Sequence, residues 1–124
     1  MAIHVIHAHE GGTVERTEAP IFEGGQVWGR GLSAGLTEDT NVSVVHFAPG
    51  ARAGWHTHTR DQVLYVVAGI GKVGDREGER VVSVGDCAVV PAGLEHWHGA
   101  HDTGSPMSHL SIMPVGAETS VLEE

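Results

Sequence analysis

The sequence predicts an all-β domain, a closed barrel or jelly roll, on three observations. Helical periodicity is absent along the 124 residues, short β-rich runs recur instead, and Gly, Pro, Asp or Asn separates them. Eighteen glycines against five prolines, with no biased tract, read as many tight turns rather than disorder. Strands are expected near Ala2–His7, Gln26–Ser33, Asn41–Phe47, Gly54–His58, Gln62–Ala68, Gly71–Gly74, Glu79–Val84, Cys87–Val90, His96–His101 and Met107–Pro114. Pro49-Gly50 presets a turn, Gly69 and Gly71 bracket a bend, Asp75–Gly78 makes a polar hairpin tip, and Gly85-Asp86 turns into the next strand. The acidic tail from Gly116 to Glu124 is expected to fray or to cross to a partner subunit. With no linker and no repeat of fixed period, one domain over residues 1–124 is expected. Closing an antiparallel sheet removes its exposed edges, and the period of two then sends alternate side chains inward.

Charge narrows the partners. Sixteen Asp and Glu stand against seven Lys and Arg, a formal −9, so no basic face is available for a phosphate backbone or an anionic membrane. A single cysteine, Cys87, rules out an internal disulfide and is expected to be a buried small hydrophobe. Met1 to Glu10 lacks the basic and apolar regions of a secretory signal, and no apolar run has the length of a membrane span, so a soluble cytoplasmic protein is expected. No Gly-rich phosphate loop with Lys, Gly-x-Ser-x-Gly or Cys-x-x-Cys appears.

Histidine is the compositional outlier, with ten residues. One residue separates His56 from His58, so on a strand both imidazoles project from one face while Trp55 and Thr57 face away, half of a metal site. Gln62 follows across a short bend and begins the next strand. Pro91-Ala92-Gly93 forces a turn, His96 opens another strand, and His98 shares its face. His109 points inward if Met107, Ser111 and Met113 do. His4, His7 and His9 are read as solvated side chains near the terminus, not a second site. His46 alternates with Val42 and Val44 and is read as a satisfied wall histidine rather than a pocket residue. Trp55 and Trp97 are expected in the outer layer or at a dimer contact, and Val63, Tyr65 and Val67 form an outward patch that favours a homodimer.

At these spacings the chain resembles the cupin superfamily. That family's first motif is Gly, five residues, His-x-His, three residues, Glu, six residues, Gly; here it reads Gly50, His56, His58, Gln62, Gly69. The second is Gly, five residues, Pro-x-Gly, two residues, His, three residues, Asn; here it reads Gly85, Pro91, Gly93, His96, Ala100. Every spacing is kept, with Glu replaced by Gln and Asn by Ala. The resemblance implies a double-stranded β-helix barrel, motifs at 50–69 and 85–100, and one divalent transition metal ion per chain on His56, His58, Gln62 and His96. Gln in place of Glu brings no negative charge, so the ion keeps its full charge, is held less tightly and is a stronger Lewis acid. Three imidazoles and a carbonyl oxygen suit Mn, Fe, Co, Ni, Cu or Zn, and leave coordination positions for water or substrate.

A narrower likeness rests on Trp55-His-x-His, Gln62, His96-Trp-His-Gly-Ala100 and Met107-x-His-Leu110. This combination is similar to small bacterial cupins that include the manganese-dependent hydroxynitrile lyases. That likeness implies manganese, His109 as general base and His98 beside it in the pocket. The expected function is a metal-dependent enzyme acting on a small organic molecule, with hydroxynitrile-lyase-like carbon–carbon cleavage as its most specific form. A metal-dependent dioxygenase and a non-catalytic small-molecule-binding or sensor cupin are the alternatives.

Overall fold

The computed structural model describes residues 2–123. Eleven strands and no helix occur among them: β1 (Val14–Glu15), β2 (Phe22–Glu23), β3 (Val27–Gly31), β4 (Thr40–Phe47), β5 (Arg52–His58), β6 (Gln62–Asp75), β7 (Gly78–Ser83), β8 (Cys87–Val90), β9 (His96–Ala100), β10 (Met107–Pro114) and β11 (Thr119–Val121). No described helix is long and apolar enough to cross a membrane.

The long strand β6 belongs to two sheets. Its first half pairs with β8 on one edge and β10 on the other, and that sheet continues through β4 and β3 to β1. Its second half pairs with β7 and β9, and the second sheet continues to β5, flanked by β2 and β11. The strand passes between sheets at Gly69, where φ is +74° and a Cβ would collide with the Pro106 carbonyl. Two strands were expected here, ending and starting either side of Gly69; glycine lets one strand turn the corner instead. The result is an all-β double-stranded β-helix.

Inward residues are graded from one end of the barrel to the other. At one end, Val27, Phe47, Ala51, Val66, Ala100 and Met107 form the apolar core. Two residues further along β6, β9 and β10 come Leu64, His98 and His109, and two further still Gln62, His96 and Ser111, all buried. Burying the apolar layer from water drives closure, and the polar layer is carried on the same strands.

Three expectations are corrected. Ala2–His7 forms no strand: no described strand lies beside it, and the carbonyls of His7, Ala8 and Glu10 accept from the Arg30 guanidinium. The tail expected to fray or cross instead pairs with β5 through β11, with Thr119 opposite His58 and Val121 opposite His56. Cys87 is exposed, because Ala88 and Val90 take the inward positions of β8. His46 lies opposite Ser108 on the outer face and bonds its hydroxyl through Nδ1 at 2.7 Å, a satisfied wall histidine. Trp97 lies on the face opposite the ligands yet is buried, with the Arg52 guanidinium 4.6 Å from its ring.

Candidate metal centre

His56, His58 and His96 converge in the polar layer. Their ligand atoms lie within 4.8 Å of one another, and all three residues are buried. A β-bulge sets this up. On β5 the register runs Ala53 opposite His98, then shifts by one residue so that His56 stands opposite His96. The extra residue keeps both Ala53 and the His56/His58 pair inward, a use of bulges common beside functional sites. The bulge is invisible in the His-x-His spacing and was not anticipated.

Each ring is anchored at Nδ1. His56 Nδ1 donates to the Gly54 carbonyl at 2.5 Å and His96 Nδ1 to the Leu94 carbonyl at 2.8 Å. His58 Nδ1 meets Thr119 Oγ1 at 2.8 Å. A carbonyl only accepts, so the first two rings carry their proton on Nδ1 and direct a bare Nε2 into the barrel. Both Nε2 atoms are buried with no hydrogen-bond partner. Leaving such atoms unmatched is costly, and two orphaned lone pairs beside a third imidazole fit a divalent cation.

Gln62 lies beside the three rings. Its Oε1 lies 3.1 Å from His58 Nε2, and its Nε2 donates to Ser111 Oγ at 2.9 Å, which turns the amide oxygen toward the imidazoles. Ser111 had no place in the sequence reading beyond its inward parity; its bond crosses between β6 and β10. No Asp or Glu is buried among the described residues, so the protein supplies no negative charge here. Burial pushes His56 down to about 4, with further lowering from His96 and His58. Burial also lowers His58 and His96. All three are therefore neutral at neutral pH, the state a metal ligand requires.

His98 and His109 form a separate pair one layer deeper. His109 Nε2 and His98 Nδ1 are 3.0 Å apart, so one ring donates to the other. The His98 ring lies 5.4 Å from His56 and 5.8 Å from His96, centroid to centroid, whereas His109 packs on His98 and Phe47. Burial lowers His98 well below the ordinary imidazole value, reinforced by His109 and the triad, and burial pushes His109 down to about 4. His109 was expected beside the ion; in the fold His98 is the ring next to the triad.

A cavity of about 340 Å³ opens between β7 and β8, edge strands that each pair with β6. Val73, Val82, Val90 and Leu94 wall it, and it reaches His96 at the metal centre. His98 and His109 are not in its lining. His4, His7 and His9 are exposed and apart from this centre.

Comparison with known proteins agrees with this architecture. Over 70 residues the chain is 47% identical to the (R)-mandelonitrile lyase of Granulicella tundricola, a match covering 55% of this chain and 52% of the lyase. It is 38% identical over 66 residues, 52% of this chain, to a gentisate 1,2-dioxygenase of a Ralstonia species, spanning 18% of that protein. The match thus spans about half of the first relative and less of the second. Among solved structures, a cupin-like protein from Thermotoga maritima superposes with a TM-score of 0.82 at 28% identity, covering 93% of this chain and 89% of that one. The cupin domain profile matches residues 43–113, more than half of the sequence, and the chain belongs to the cupin domain family.

Proposed function

We propose that this cupin is a metal-dependent lyase that cleaves a small hydroxynitrile into a carbonyl compound and hydrogen cyanide, with manganese as its ion. The observation that carries the reading is a neutral, hydrogen-bonded imidazole pair, His98 and His109, next to a ligand set of three imidazoles and one amide. The 47% identity to a mandelonitrile lyase supports it. When bound, the cation supplies Lewis acidity toward the substrate oxygen or nitrogen. His98 abuts the triad and takes the hydroxyl proton, with His109 sharing the charge across their 3.0 Å contact. As the carbon–carbon bond breaks, its electron pair leaves with cyanide. The burial that keeps the pair neutral makes its imidazolium short-lived, so the proton returns to cyanide.

Mandelonitrile is the test substrate. Manganese-loaded protein should release benzaldehyde and cyanide under argon as fast as in air; absence of turnover at any metal loading overturns the proposal. The dioxygenase relative favours a second reading, in which gentisate drives oxygen uptake. A non-catalytic binder would instead show ligand-dependent thermal stabilisation without product.

As the assembled form we propose a homodimer through the outer face of β6 and β8, where Val63 stands opposite Val89 and Tyr65 opposite Cys87. Tyr65, Val67 and Val89 are exposed there, and on a chain of net charge −9 an uncharged face brings two copies together with least repulsion. Light scattering that reads a monomer at micromolar concentration overturns this assignment.

A further inference from the structure

The three ligand imidazoles are held by two kinds of partner. His56 and His96 use carbonyls two residues away in the chain, Gly54 and Leu94. His58 has no such local anchor. Its Nδ1 depends on Thr119 Oγ1, 61 residues away on β11. A hydroxyl both donates and accepts, so Thr119 alone does not decide which nitrogen of His58 bears the proton. Gln62 Oε1, at 3.1 Å from Nε2, competes for it.

β11 is a three-residue edge strand with exposed residues. Among the described residues its backbone is tied only to the stretch around β5: Thr59 N donates to the Glu118 carbonyl at 3.0 Å, Glu118 N to Thr59 Oγ1 at 2.9 Å, and Leu122 N to the Trp55 carbonyl at 2.9 Å. The Thr119 hydroxyl is the side-chain bond that links this strand to the centre.

We propose that β11 is a working part of the metal site: Thr119 positions His58, and metal occupancy and seating of the C-terminal strand reinforce each other. The inference rests on the metal-centre reading. An imidazole bound to a cation through Nε2 must carry its proton on Nδ1 and is a stronger donor there. Thr119 Oγ1 supplies the acceptor, so its contact tightens when the site is filled. Linkage makes the effect reciprocal, and loosening the strand weakens the metal.

Thr119→Val removes the acceptor at nearly constant volume, and Thr119→Ser keeps it. Zinc(II), a diamagnetic probe suited to imidazole ligands, is titrated calorimetrically into the metal-free full chain against a competing chelator. Amide hydrogen exchange over residues 118–122 is followed in parallel by mass spectrometry. Zinc affinity should fall about 10-fold in Thr119→Val, the lower end for a lost outer hydrogen bond, and about 3-fold at most in Thr119→Ser. Zinc should slow exchange at 118–122 in the wild type and in Thr119→Ser, and much less in Thr119→Val. Equal zinc affinity in wild type and Thr119→Val overturns the inference, as does exchange at 118–122 that zinc leaves unchanged in the wild type. If Thr119→Val does not fold, the wild-type exchange and the serine variant still decide. Wild-type protein that takes up no zinc fails the metal-centre reading itself, and the inference with it.

Discussion

Two groups of buried histidines lie side by side in this barrel and differ in what their ring nitrogens face. His56, His58 and His96 spend Nδ1 on the surrounding protein and aim Nε2 at one another. His98 and His109 turn a nitrogen of each ring onto the other. Burial lowers the basicity of both groups, so pKa alone does not separate them. Geometry does: three converging ring nitrogens suit a cation, while a shared hydrogen bond suits proton transfer. The same residue type acquires two chemistries from the partner of one nitrogen.

The largest test of that contrast removes one ligand. His56→Ala should abolish metal retention through purification, read by elemental analysis, while His109→Ala keeps its metal at wild-type stoichiometry. Equal metal loss in both variants would merge the two groups into one site. Next comes the proton-transfer pair: His98→Ala should lower mandelonitrile turnover about 100-fold or more at full metal loading, the usual range for a lost general base. Turnover that survives would return the base role to another residue.

Acid should act on the metal-free fold in a defined window. Above pH 6.5 His109 is neutral both folded and unfolded. Between about pH 6.5 and its folded value of about 4, the unfolded chain takes up a proton that the folded chain refuses, so stability falls as pH falls. The loss levels off near pH 4 and amounts to roughly 3 kcal/mol from this one group. Urea melts across that range should show the slope, reduced in His109→Asn. A flat profile would place His109 in a wetter setting than its burial implies. The smallest expected effect lies at the amide: Gln62→Glu should tighten manganese about 10-fold and slow turnover, because an added charge blunts the cation's Lewis acidity. Unchanged turnover would count against that argument.

Much of the site was legible because strand parity is a local rule. His56, His58 and His96 share an interior because alternate residues of a strand share a face, and Pro91 and Gly93 start β9 in phase. The same rule applied to β8 would have placed Cys87 outward with Val89, where the structure has it. Ala2–His7 shows the limit of pattern reading: alternation marks a segment able to pair, and pairing needs a neighbour that the fold does not provide. Ser111, Thr119 and the His98–His109 contact were out of reach because each partner lies across a strand boundary.

By itself the sequence determined an all-β chain with a cupin's motif spacing, and with it which residue types line the interior, because turn chemistry and period-two alternation are written in consecutive residues. The tertiary structure decided the bulge that sets His56 opposite His96, the strand that turns the corner at Gly69, and the C-terminal threonine that holds His58. Those depend on register between distant strands, which is settled only when the two sheets close over a common core.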